Sequence, residues 1–183
     1  MRTHLAPAVV ATLLVVALLS GCGDDKGPVG PDDPPTPTLS TPQAVLLSLL
    51  TAYQTRDNVK TALLYDDAYE GASIDPSGLF GDFAFTKADE IRHVARLKLD
   101  PNIVSVQVDF GPQSSWLRLP ADASDPPEWA RIQINAWTVR VDDIQNSTTY
   151  EANNNPMVYD FKPTVAAPGD TAWAIVRWTE FAN

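Results

Sequence analysis

Residues 130–141 read ARIQINAWTVRV. Up to Ile134 the bulky apolar side chains fall on even positions, Ile132 and Ile134. From Trp137 onward they fall on odd ones, with Val139 and Val141 following. A strand turns successive side chains to opposite faces, so this change of phase would carry half of the apolar set into water. One extra residue near Asn135 to Trp137 restores a single apolar face, because a bulge inserts a residue and bends its strand. The stretch therefore predicts a long bulged strand in a bent sheet.

The sequence on either side supplies partners for that strand. In IVSVQVDF (103–110), Val104, Val106, Val108 and Phe110 face one way, and Ser105, Gln107 and Asp109 the other. That is the period of a half-buried strand. MVYDFK (157–162) and TAWAIVRWTEF (171–181) read as two further strands. The last has Trp173 and Ile175 on one face and Val176 and Trp178 on the other, the pattern of a central strand covered on both sides. LPADASDPPEW (119–129) and QNSTTYEANNNP (145–156) read as loops.

Helices precede the strands. Thr41 offers a capping hydroxyl and Pro42 a first helical residue with no N–H to satisfy. Leu46, Leu49, Leu50 and Tyr53 then recur at helical spacing. Asp57 or Asn58 can cap a second, short helix through Leu63 and Leu64. EGASIDPSGLFG (70–81) is turn-rich. TKADEIRHVARL (86–97) reads as a third helix, with Thr86 and Asp89 as a capping box and Ile91, Val94 and Ala95 on its buried side. Helices followed by a run of antiparallel strands make a single α+β domain over 41–183.

TPQAVLLSLLTAYQTRD (41–57), the short second helix, YDDAYEG (65–71), FTKADEIRHVARL (85–97) and the strands ending in WAIVRW (173–178) resemble the SnoaL-like, or nuclear transport factor 2-like, superfamily in layout. The resemblance implies a cystatin-like cone: three N-terminal helices packed on a strongly bent antiparallel sheet, with a mouth that often holds a small ligand. Members of that superfamily include isomerases, cyclases, dehydratases and non-catalytic binders, so the fold alone assigns no activity. Its isomerases carry a general-base Asp before a proline after the second helix, which IDPSG matches at Asp75. Two features depart from that pattern: the intervening segment is longer, and Leu47 stands near the position of the tyrosine that stabilises an oxyanion. Asp75-Pro76-Ser77-Gly78 also reads as a plain turn.

Cyclase-like and dehydratase-like members use a histidine with an acidic partner. Beyond His4 the chain has only His93, which lies beside the apolar positions of its helix, near Glu90. One histidine and one cysteine make no zinc constellation. Asp66-Asp67 and Asp142-Asp143 lack the alternating spacing of a calcium loop and read as solvated faces or caps. There is no phosphate-cradling glycine loop and no nucleophile elbow, so neither a metal nor a cofactor is expected.

The N-terminal segment bears on location. A basic start is followed by the uncharged run Leu5 to Leu19 and then by Ser20, Gly21 and Cys22. That order is a secretory signal over 1–21, and its run is shorter than the roughly 20 residues of a membrane-spanning helix. LSGC resembles the lipobox of bacterial lipoproteins, which implies a lipid-modified Cys22 and an anchor at the cell envelope. Gly23 in place of aspartate implies the outer membrane where the source has two. Residues 22–40 are rich in proline and aspartate and cannot bury enough apolar surface to offset chain entropy, so they read as a disordered tether. The formal net charge of −10 excludes nucleic acid as a partner.

All five tryptophans lie from Trp116 onward. Trp137, Trp173 and Trp178 are candidates to line a pocket for a small apolar ligand. The alternatives are the core, or a sheet face that pairs with a second copy, and the core is favoured because a sheet without disulfides needs large buried groups. Three classes stay open at this point: a lipid-anchored binding or protein-interaction module, which the residues favour; a small-molecule enzyme using Asp75 or His93; and a structural envelope protein.

Overall fold

In the computed structural model, residues 38–79, 81–144, 147–167 and 170–181 are described. The signal segment, Cys22 and the tether up to residue 37 lie outside the described residues. Among the described residues three helices, α1 (Pro42–Gln54), α2 (Asn58–Leu64) and α3 (Lys87–Leu99), pack on a strongly curved sheet. Its strands are β1 (Tyr65–Ile74), β2 (Phe83–Thr86), β3 (Ile103–Asp109), β4 (Leu117–Leu119), β5 (Ala130–Asp143), β6 (Ser147–Ala167) and β7 (Asp170–Phe181). The strand order is β2-β1-β7-β6-β5-β3, with β4 also paired to β5. No helix among them is long and apolar enough to cross a membrane.

Local chemistry starts each helix where the sequence predicts. Thr41 Oγ1 accepts from Ala44 N at 3.1 Å with Pro42 in the first turn. Asp57 Oδ1 accepts from Val59 N and Lys60 N at 3.1 and 2.9 Å. Thr86 and Asp89 form the reciprocal capping box. Before α1, Leu39 already packs on the core, and its carbonyl accepts from Trp173 N at 2.8 Å. The contact between chain and sheet thus begins ahead of Thr41.

The sheet bends at the phase change in β5. Ile134 pairs with Met157, whereas Ala136 pairs with Asn153. Only Asn135 lies between these pairings on β5, but Asn154, Asn155 and Pro156 lie between them on β6, so the expected extra residue on β5 is corrected: the surplus of two lies on β6. Pro156 has no N–H to give a ladder and suits a bulge. Ile132, Ile134, Trp137, Val139 and Val141 all pack on one core as a result.

Four further expectations are corrected by pairing that only the folded chain supplies. Residues 65–74 form β1 instead of leading into a long turn, because they lie between β2 and β7. The polar stretch from Ser147 is the first half of β6, paired along β5, and is no loop. Val104 is 63% exposed because the register shifts between Ile103 and Ser105, and Ile103 takes the inward place. β7 is central, but it is not apolar on both faces. Asp160 pairs with Arg177 and Phe161 with Ile175, which leaves Val176 as the extra residue. Trp173, Ile175 and Trp178 therefore all pack on the same core. In addition β1 and β7 run parallel within an otherwise antiparallel sheet. Parallel neighbours need a long crossover, which the intervening α3 and five other strands provide.

The face of the sheet away from the helices carries a charge cluster in register. Arg131, Asp160 and Arg177 are cross-strand neighbours on β5, β6 and β7. Asp160, 2% exposed, accepts from Arg131 Nε at 2.6 Å and from Arg177 Nη1 at 3.1 Å. Arg177 also donates to both oxygens of Asp125 at 3.0 Å, which ties the loop before β5 to the sheet. Removing one partner of a buried ion cluster strands the others without compensation. Asp160→Ala should therefore cost about 3–5 kcal/mol in denaturant unfolding. A loss below about 1 kcal/mol, the range of a solvated pair, would contradict this account of the outer face.

Candidate functional site

α1, α3 and the concave side of the sheet enclose a cavity of about 590 Å³. α1 contributes Leu49, Leu50 and Tyr53, and the sheet contributes Tyr65, Phe85, Phe110, Trp137, Tyr159 and Trp178. α1 has two working faces. Val45, Leu46, Leu49 and Ala52 are buried in the core. Leu50 and Tyr53, half-buried, turn toward the cavity. A second hollow of about 600 Å³ runs toward Ile103 and Asp143 and shares Tyr53, His93, Trp137 and Val139 with the first.

One carboxylate organises the cavity wall. Tyr53 Oη, from α1, donates to Glu90 Oε2 at 2.8 Å. Tyr69 Oη, from β1, donates to Glu90 Oε1 at 3.0 Å. Each carboxylate oxygen has room for a second donor, so Glu90 keeps acceptor capacity. Burial, followed by the charge of Glu90, pushes the Tyr53 and Tyr69 phenols upward, so both stay neutral donors. Burial does the same for Tyr65 and Tyr159. Glu180, on β7, lines the same cavity. Burial pushes its carboxyl upward too, with a Ser73 hydrogen bond opposing the shift.

The residues singled out from sequence fall in different places. Trp137 and Trp178 line the cavity, and Trp173 packs on the core without lining it. The indole nitrogens of Trp137 and Trp178 are buried without a hydrogen-bond partner among the described residues. His93 stands exposed at the rim, its ring 6.1 Å from that of Tyr53. Asp75 belongs to a turn outside the cavity lining. Its Oδ1 accepts from Ser77 N at 2.8 Å and Ser77 Oγ at 2.5 Å, and its carbonyl accepts from Gly78 N. Leu47 is 41% exposed and likewise does not line the cavity. Of the first acid pair, Asp67 is solvated as expected and meets Lys87 at 2.8 Å, whereas Asp66 is largely withdrawn from water and meets Lys162 at 3.1 Å. No three histidine, cysteine or acidic side chains among the described residues converge as a metal-ligand set.

Glu90 is the residue that the sequence reading did not promote. Its signal was present. It lies four residues before Val94 and seven before Leu97, the positions at which α3 meets the core. An acid on the buried stripe of an amphipathic helix needs a partner.

Gly71 makes the arrangement geometrically feasible. A Cβ there would stand 2.5 Å from Tyr69 Oη and 3.3 Å from Phe85 Cβ. Gly71→Ala should therefore displace the Tyr69 hydroxyl from Glu90 and cost about 1–3 kcal/mol. Combined with Tyr69→Phe it should add much less than its single effect, since both act on one contact. Full additivity in urea unfolding would show that Gly71 serves another purpose.

No protein-family model matches the chain, and no curated protein does. Solved structures do. A conserved protein from Planctomyces limnophilus is similar with a TM-score of 0.51 at 13% identity, over 76% of this chain and 91% of that one. A putative calcium/calmodulin-dependent protein kinase II association domain from Xanthomonas campestris gives 0.51 at 11% identity, over 77% and 84%. A nuclear transport factor 2-like protein from Cytophaga hutchinsonii gives 0.47 at 15% identity, over 77% and 94%. The first two likenesses concern the fold alone: three helices on a strongly curved sheet.

Proposed function

We propose that this protein is a lipid-anchored binding module whose cavity takes a small, predominantly apolar molecule without transforming it. The observation that carries the reading is the aromatic-walled cavity of about 590 Å³ with a single organised carboxylate, Glu90, in its wall. Sites for small molecules are of this size and kind: apolar surfaces with a few fixed polar groups. An open hollow supports a binder over a domain that serves only as a spacer.

The isomerase-like alternative has less support. Asp75 is engaged in its turn and outside the cavity lining. A general base must reach the proton it abstracts. His93 is at the rim, and no hydrogen bond among the described residues joins it to a carboxylate.

Binding is testable with a neutral apolar fluorophore, N-phenyl-1-naphthylamine. Its emission should rise to a single saturable plateau with the native protein. Leu50→Trp, which fills the cavity from α1, should abolish the rise while the thermal transition is retained. Equal binding by native and filled proteins would remove the cavity from the proposal.

The anchor forms the second part of the reading, and it rests on LSGC at residues 19–22. Two or more acyl chains on one cysteine hold a protein stably at a bilayer, whereas one does so only marginally. Cys22→Ser should move the protein from the membrane to the soluble fraction. Retention at the membrane after a high-salt wash would contradict a lipid anchor.

A further inference from the structure

We infer that the ligand of this cavity is an organic cation, an ammonium-type group on an apolar body, received between Glu90 and Glu180 and faced by the aromatic rings. The inference rests on the cavity's being a ligand site and adds the ligand's charge.

Three carboxylates line the cavity: Asp89 is paired with Arg92, whereas no basic side chain among the described residues forms a salt bridge with Glu90 or Glu180. Among the described residues Glu90 is bonded only by phenols, which supply hydrogen bonds but no positive charge. Glu90 and Glu180 come to this one cavity from different elements, α3 and β7, and share its lining with the Tyr159 phenol. Carboxylates withdrawn from water without a counter-charge are costly, and a cation admitted between them offsets that cost.

The basic groups that line the cavity all come from α3 and sit at its edge. Arg92 is engaged with Asp89 at 3.0 Å, and both are substantially exposed. Arg96 and His93 are exposed. An anion drawn to these groups would have to stay outside, because further in it would meet Glu90 and Glu180. A neutral apolar molecule would fill the space but leave both carboxylates uncompensated.

The walls favour the same ligand. Trp137, Trp178, Phe85 and Phe110 present ring surface to the cavity, and Phe85 and Trp178 stand as a tilted pair with centroids 6.0 Å apart. Ring faces carry partial negative charge and attract cations, Trp most strongly. Aromatic rings with an acidic group nearby are thus suited to an alkylated ammonium, which has no strong hydrogen bonds of its own to lose on leaving water.

Three probes with one phenol body separate the possibilities by calorimetry: 4-hydroxyphenyl-trimethylammonium, its neutral carbon isostere 4-tert-butylphenol, and anionic 4-hydroxybenzenesulfonate. The cation should bind at least about tenfold more tightly than the neutral probe, and the anion not measurably. Glu180→Gln should reduce the cation's affinity by about tenfold and leave the neutral probe's within about twofold. Glu90→Gln should do the same, and because it also loosens Tyr53 and Tyr69, the Glu180 variant decides if the Glu90 variant does not fold. Neutral and cationic probes binding equally, or a cation unaffected by Glu180→Gln, would overturn the charge and leave the cavity reading standing. No binding of any of the three would overturn both.

Discussion

The carboxylate of Glu90 ties α3, which has little apolar burial of its own, to α1 and β1. α3 is a polar helix with Val94 as its only fully buried residue. A helix of that kind gains little from apolar burial, so its attachment must come from elsewhere. Glu90 fixes it to α1 through Tyr53 and to β1 through Tyr69. Lys87 adds a second tie, donating to Tyr65 O and Asp67 Oδ1 at 2.8 Å each. Hydrogen bonds to an ionised group are the stronger sort, and these two replace what an apolar stripe would supply. The cavity exists because the helix is held at a distance by polar side chains instead of being drawn down onto the sheet.

The sheet contributes the opposite wall, and its irregularities aim the rings. The kink between Ile134 and Ala136 turns Trp137 inward after a run in which Ile132 and Ile134 already face the core. The extra residue at Val176 does the same for Trp178. Each bulge re-aims a side chain that strict alternation would send outward. On the other face the same register lines up Arg131, Asp160 and Arg177, which brace the bent strands where no helix covers them. Curvature, cavity wall and outer cluster are consequences of one set of pairings.

Much of this was legible in the sequence, for identifiable reasons. The caps at Thr41, Asp57 and Thr86 were readable because they depend on a few adjacent residues. The bend in β5 was readable because its apolar residues change phase within one strand. β1 was not, since YDDAYEGASI is no strand by composition and becomes one through its neighbours β2 and β7. The first half of β6 fails for the same reason. At the site, Trp137 and Trp178 could be named in advance, but Trp173 could not be told from them without the register. Glu90 belongs to no motif, whereas Asp75 precedes a proline in a recognisable turn and His93 is the one histidine of the helical and sheet region. The physical signal, an acid in line with Val94 and Leu97, was the better guide.

The central claim is that Glu90 is held by phenol donors and thereby positions α3 over the cavity. A double-mutant cycle of Tyr53→Phe and Glu90→Gln, followed by urea unfolding, measures that contact directly, because the cycle isolates the pairwise interaction from the loss of each side chain. The account predicts a coupling of about 1.5–3 kcal/mol, the range for a hydrogen bond to a charged group. Effects that simply add, to within about 0.5 kcal/mol, would show that the two residues are independent and that the helix is held by something else.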